Sequence, residues 1–223
     1  ILQQLFNSVD TAVVGRFASS QALAAVGSNS SLISLMINLF IGISLGSNVV
    51  IAHYIGQKSE KNIHAAVHTA IVVAILSGVF VMILGQFIAK PVLLLMGTPE
   101  DVIDLAVLYL RIYLIGMPFI MLYDFGSSIL RSTGDSKRPL YSLIVAGIVN
   151  TVLNLILVIV FKLGVSGVAI ATVISNVVSS SIVMVILMHE SEPIRLDVRK
   201  LTIVPRELKK ILTIGVPAGL QGM

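Results

Sequence analysis

Residues 32–52 read LISLMINLFIGISLGSNVVIA, a run without one Asp, Glu, Lys or Arg. At 1.5 Å per residue, a helix of that length reaches about 31 Å, which matches the hydrocarbon core of a bilayer. The charge-free stretch extends outward to residues 17–57, and it has three counterparts at 62–89, 139–161 and 163–188. A fifth span, residues 102–130, carries Arg111 and Asp124 within otherwise helical sequence. Ahead of it, Thr98-Pro99-Glu100-Asp101 reads as a helix start, with a Thr cap, a first-turn Pro and acids near the positive end of the dipole. Residues 1–15 are apolar but too short to span, and residues 212–223 begin another apolar run. The pattern predicts an all-α polytopic membrane protein: six helices with the first truncated, then the start of a seventh, as in a piece of a longer chain.

Composition agrees. Of the 223 residues, 56% are hydrophobic and 12% charged, with a mean hydropathy of +1.00. A soluble domain carries about 25% charged residues, so a soluble enzyme, a nucleic-acid module and a disordered chain are excluded. The absence of Cys removes disulfides, thiolate metal sites and cysteine nucleophiles. A net charge of +4 is too small to argue for a nucleic-acid partner. No prenyltransferase-like acidic cluster, HExxH, paired intramembrane aspartates, GxSxG or phosphate-cradling loop points to an enzyme.

Lys and Arg set the orientation. Eleven fall in one set of loops: Lys58, Lys61, Arg131, Lys137, Arg138, Arg195, Arg199, Lys200, Arg206, Lys209 and Lys210. The opposite set holds Arg16, Lys90 and Lys162, and Arg111 lies within a helix near its outer end, where it is expected to snorkel. The basic side is therefore expected to face the cytoplasm. Its longest loop is 189–210, whose tail from 204 to 212 reads as a basic amphipathic helix on the inner leaflet. Residues 1–203 are accordingly read as one transmembrane lobe, and 204–223 as a linker running into a seventh helix. A faint repeat supports two such lobes: Leu2-Gln3-Gln4-Leu5 and Leu220-Gln221-Gly222-Met223 lie 218 residues apart. His53, His64 and His68 lie near helix ends on the basic side and are assigned to the interface. Gly116-Met117-Pro118 marks a kink, Gly42, Ser44 and Gly46 a small-residue packing face, and the scattered methionines core filler.

Polar groups inside hydrocarbon are costly and each needs a reason. Counting from the outer helix ends at 1.5 Å per residue puts Asp10, Asn154 and Thr172 at one depth, roughly 8–10 Å below the outer surface. Asn150 and Asn176 lie one turn deeper on the same faces as Asn154 and Thr172, and Asn7 one turn below Asp10. A carboxylate among amide and hydroxyl oxygens suits a proton or a bare Na⁺. The Asn and Thr side chains equally suit hydrogen-bonded contacts between helices, and for Asn7 and Asn176 the two readings stand level. Asp124, roughly 10 Å above the inner surface, either lines an inward vestibule, meets a cationic substrate, or is a hydrated or amide-paired acid.

Several motifs together resemble the MATE (multidrug and toxic compound extrusion) family. Asp10-Thr11 with Val14-Gly15, followed by Ala22-Leu23-Ala24-Ala25-Val26-Gly27, resembles its first helix and outer loop. Residues 52–57 with the basic stretch after them resemble its first inner loop. Arg131-Ser132-Thr133-Gly134-Asp135-Ser136-Lys137-Arg138-Pro139 resembles the inner loop between its fourth and fifth helices. Asn150-x-x-x-Asn154 and Gly164-Val165-x-Gly167-Val168-Ala169-x-Ala171-Thr172 are similar to the fifth and sixth helices, and Gly215-Val216-Pro217 to the start of the second bundle. The resemblance implies one lobe of a twelve-helix antiporter that exports organic, often cationic, drugs and toxins by alternating access, driven by H⁺ or Na⁺. It implies no other cofactor, a second lobe as partner, and a place in a bacterial cytoplasmic membrane. The family's cation site falls on Asp10, Asn150, Asn154 and Thr172; Asn154 stands where some members carry an acid. Two other functions are weighed. A lipid-linked oligosaccharide flippase of the same superfamily would line its cavity with several Arg and Lys, and this lobe has no such row. A structural membrane subunit would have no use for a buried Asp10.

Overall fold

In the computed structural model, which describes residues 2–222, the charge-free stretches are helical over nearly all their length and no strand occurs among the described residues. The order is α1 (Leu2–Phe17), α2 (Ser20–Gly56), α3 (Glu60–Leu95), α4 (Ile103–Ile115), α5 (Met117–Ser132), α6 (Lys137–Leu155), a π turn (Ile156–Val160), α7 (Val165–Met188), a 3₁₀ turn (Val198–Lys200) and α8 (Pro205–Gln221). Four of these spans are long and apolar enough to cross a membrane, and α4 and α5 pass the same test only when taken together, bent by 46° at their break. The bend sits at Gly116, beside Pro118, as the Gly-Met-Pro sequence predicts; Pro118 cannot donate to the preceding turn.

The apolar surface is inverted relative to a soluble protein. Leu76, Phe80, Ile83 and Phe87 are exposed along one stripe of α3, and Tyr141, Val145, Ile148, Val152 and Leu155 along one of α6. Such stripes are compatible with lipid and not with water.

The described chain divides into two compact units by contact. The first comprises residues 1–34, 79–117 and 143–178. Its core is small and close: Val14, Ala25, Ala106, Ala146, Val168, Ala169 and Ala171 are fully buried, with Tyr109 and Leu110 filling the larger gaps. Asn29 fastens α2 to α4, its Nδ2 donating to the Ala25 and Ala106 carbonyls at 2.8 and 3.1 Å. Two expectations are corrected in this unit. Ala22–Gly27, read as part of an outer loop, forms the first turns of α2; Ser19 Oγ accepts the Ala22 amide at 3.1 Å, and alanine-rich sequence continues any helix so started. Thr98 does not cap α4. The Pro99 carbonyl takes the amides of Val102 and Ile103, both at 3.0 Å, so the chain turns once more and the helix begins at Ile103.

The second unit comprises residues 35–78, 118–142 and 179–223. Here the small-residue face of α2 meets α8 backbone to backbone. A methyl group placed on Gly42 would lie 2.0 Å from Gly219 Cα, and one on Gly46 would lie 2.3 Å from the Ile211 carbonyl oxygen. The amphipathic 204–212 stretch and the apolar run after it lie on one helix, because α8 runs unbroken from Pro205 to Gln221. Pro205 occupies its first turn, where a missing amide costs nothing. Glu207 is 1% exposed and accepts a hydrogen bond from Tyr54 Oη at 2.7 Å. Lys210 bonds the same hydroxyl and lies over the Tyr54 ring, 4.8 Å from its centroid. His68 also departs from its assignment to the interface: it is fully buried, covered by the segment after α7, whose Ile194 and Leu196 are buried with it. The terminal repeat Leu2–Leu5 and Leu220–Met223 falls partly on Met223 and on side chains outside the described residues.

Candidate cation-coupling site

Asp10 lies on α1 in the first unit, with no exposed surface. Each of its carboxylate oxygens accepts one hydrogen bond from a neutral donor. Asn154 Nδ2 on α6 donates to Oδ1 at 2.6 Å, and Thr172 Oγ1 on α7 reaches Oδ2 at 2.8 Å. Asn150 closes the ring. Its Oδ1 accepts from Asn154 Nδ2 at 3.1 Å, and its Nδ2 lies 3.3 Å from Thr172 Oγ1. Asn150, Asn154 and Thr172 are as buried as the aspartate. Three helices therefore converge on one carboxylate. The local reason is spacing: Asn150 and Asn154 share a face of α6 at i, i+4, so the deeper amide reaches back across one turn.

Thr172 has a second acceptor, the Val168 carbonyl at 3.1 Å. One hydroxyl carries one hydrogen. With Asp10 ionised, that hydrogen points at Oδ2. With Asp10 protonated on Oδ2, the acid can donate to Thr172 Oγ1 while the threonine hydrogen turns to Val168. The cluster thus accommodates either state of the carboxylate without breaking its frame. Asn154 Oδ1 is buried and has no hydrogen-bond partner in the structure. An unmatched amide oxygen beside a carboxylate, a second amide oxygen and a hydroxyl is also a donor set for a hard cation.

The remaining sequence candidates separate. Asn176 is buried one turn along α7 from Thr172. Asn7 is half-buried, and its backbone carbonyl accepts from Thr11 Oγ1 at 2.7 Å. Asp124 is buried on α5 and belongs to the second unit. Tyr109 on α4 was not anticipated: fully buried, it lies within electrostatic reach of Asp10 and packs against Tyr113, ring centroids 6.0 Å apart. Its phenol was detectable only as a polar tip in an apolar helix.

A family model, MatE, matches residues 1–156. The probable multidrug resistance protein YoeA of Bacillus subtilis (strain 168) is 38% identical over 227 residues, covering 99% of this chain and 49% of its own length. The probable multidrug resistance protein NorM of Thermotoga maritima is 27% identical, covering 99% of this chain and 48% of its own. A solved crystal structure of MATE in the bent conformation superposes with a TM-score of 0.91 at 27% identity, over 98% of this chain and 49% of that one. An inward-facing multidrug resistance MATE family transporter of the MOP superfamily gives 0.91, also at 27%, over 99% and 50%. The chain spans about half the length of the relatives it matches. It belongs to the MATE family of multi-pass membrane transporters.

Proposed function

We propose that this chain is the ion-coupling lobe of an antiporter that exports organic, often cationic, compounds in exchange for H⁺ or Na⁺. Residues 1–203 form the lobe, 204–223 lead into a second one, and the basic loops face the cytoplasm of a bacterium. The observation that carries the reading is the Asp10 carboxylate, buried without a basic partner among the described residues and held by Asn154, Thr172 and Asn150. Such an acid is poor structural glue, because burial penalises its charged form. Small changes in hydration shift the balance between loaded and unloaded states. Alternating access supplies such changes: water reaching the cluster from one side favours release, and its exclusion favours retention.

The test uses the full-length protein in vesicles with an imposed ion gradient and a fluorescent organic cation. Asp10→Asn keeps the size and hydrogen bonding of the side chain but cannot titrate. It is expected to abolish gradient-driven export while leaving membrane insertion and substrate binding in detergent intact. Asn154→Ala, which removes one neutral partner, is expected to weaken coupling less. Export by Asp10→Asn at the unmodified rate overturns the assignment and moves attention to Asp124.

A further inference from the structure

The segment between α7 and α8 is tied to α3 by two side chains that lie next to each other in sequence. His68 Nε2 lies 3.1 Å from the Asp197 amide, and Thr69 Oγ1 accepts the Val204 amide at 3.1 Å. A backbone amide can only donate, so His68 Nε2 is an acceptor and carries no hydrogen. The ring proton must then sit on Nδ1, which lies 2.8 Å from the His64 carbonyl oxygen and donates to it. Both ring nitrogens are matched by the neutral imidazole, in one tautomer. A second proton would have to be placed on Nε2, hydrogen to hydrogen against the Asp197 amide.

We propose that His68 is a proton-sensitive clamp that holds the 194–204 segment on α3 while neutral and releases it when the ring is protonated. The neighbouring charges do not provide a ready alternative. His64 stacks on the ring with centroids 4.0 Å apart, so charging both imidazoles sets like charges face to face. Glu192, Asp197 and Lys200 lie within electrostatic reach of His64, and the Asp197 amide is the group that meets His68. The Asp197 carboxylate is occupied, accepting the Arg199 amide at 3.0 Å and lying 3.7 Å from Lys200 Nζ. Turning it toward a protonated Nε2 would uncap the 3₁₀ turn that it starts, so that response also reorganises the segment. Among the described residues the segment is also held by the Leu196 amide on the Leu187 carbonyl, at 2.9 Å, by the Thr69 bond and by the buried Ile194 and Leu196 side chains. The clamp makes this stretch of the inner loop responsive to the pH of the compartment it faces, independently of whether Asp10 couples transport.

The test is amide hydrogen exchange over 194–204 in the full-length protein in nanodiscs, with rates corrected for their intrinsic pH dependence. A solvated imidazole titrates near 6.5, so an opening that frees the ring is about tenfold more favourable at pH 5.5 than at pH 7.5. The expected result is therefore about tenfold faster corrected exchange at pH 5.5. His68→Gln offers an amide oxygen to Asp197 but cannot titrate, and should be equally protected at both pH values. Thr69→Val should loosen the Val204 amide by the same factor at both, and His64→Gln should keep the pH ratio. Equal exchange of the unmodified protein at the two pH values overturns the clamp. So does a tenfold ratio that survives His68→Gln or disappears in His64→Gln.

Discussion

Replacing Gly42 by Ala tests the close crossing of α2 and α8. The added methyl carbon would sit 2.0 Å from Gly219 Cα and 2.1 Å from its nitrogen. Carbon atoms in contact prefer about 3.5–4.0 Å, so the two backbones must part by roughly 1.5 Å. Backbone atoms have no rotamer with which to evade the methyl group. Overpacking of this kind costs about 1–3 kcal/mol, and the better helix propensity of Ala returns at most about 1 kcal/mol. A clash this close to backbone belongs at the upper end of that range, so the net loss is about 2 kcal/mol, and a melting temperature some 4–8 °C lower is expected for a domain of about this size. Gly27→Ala is the matched control. It lies in the same helix, but a methyl group there meets nothing within 4 Å, so it should be neutral or slightly stabilising. Melting of the full-length protein in detergent, followed by size-exclusion of the surviving monodisperse fraction, reads both variants. If Gly42→Ala melts as high as Gly27→Ala, the backbone contact is not as close as described.

Two further perturbations address the inner side. Tyr54→Phe removes the donor to buried Glu207 and should cost about 2 kcal/mol, a hydrogen bond to a charged group; Glu207→Gln, still able to accept from Tyr54, should cost less, and the reverse order in a melt would refute the pairing. Asp135 Oδ1 accepts the Lys137 and Arg138 amides at 3.0 and 3.1 Å, so Asp135→Ala should cost about 1 kcal/mol by uncapping α6. Partial burial works to raise the Asp135 carboxyl, but the Arg138 side chain and amide outweigh it and hold the group below its ordinary value of 3.8. A lowered carboxyl stabilises the fold above the ordinary value and loses that contribution as pH falls through the lowered one. The deficit of Asp135→Ala should therefore be full at pH 5 and fade only below about pH 3.8; a deficit unchanged at pH 2.5 would contradict the capping role.

What the sequence makes legible here is whatever depends on a one-dimensional count. Charge-free runs mark the spans because a bilayer imposes one length on all of them. The meeting of Asp10, Asn154 and Thr172 follows from equal depth on three helices. Asn150 joins them because an i, i+4 neighbour is fixed by helix geometry alone. What escapes depends on contacts between residues far apart in sequence. Glu207 reads as one more charge on a basic helix, and only the placement of Tyr54, 153 residues earlier, makes its burial tolerable. His68 reads as an interfacial histidine until the segment at 194–204 folds over it. Ala22–Gly27 reads as a loop because no charge or turn residue decides its state, and the cap at Ser19 supplies the decision locally.

The length of α2 has a consequence for how the protein is approached from outside the membrane. Its 37 residues make a rod of about 55 Å. Even tilted by 40°, the upper end of the usual range, such a rod rises about 42 Å along the bilayer normal, whereas the hydrocarbon layer is about 30 Å thick. At least 12 Å of that rise, about ten residues at the tilted rise of about 1.15 Å each, must therefore stand in the headgroup region or in water. The two ends, with Ser20 and Gln21 at one and His53 at the other, are polar enough to do so. A helix end that emerges from the membrane is a better epitope than a loop, because its own backbone hydrogen bonds hold the shape that an antibody fragment or designed binder would grip.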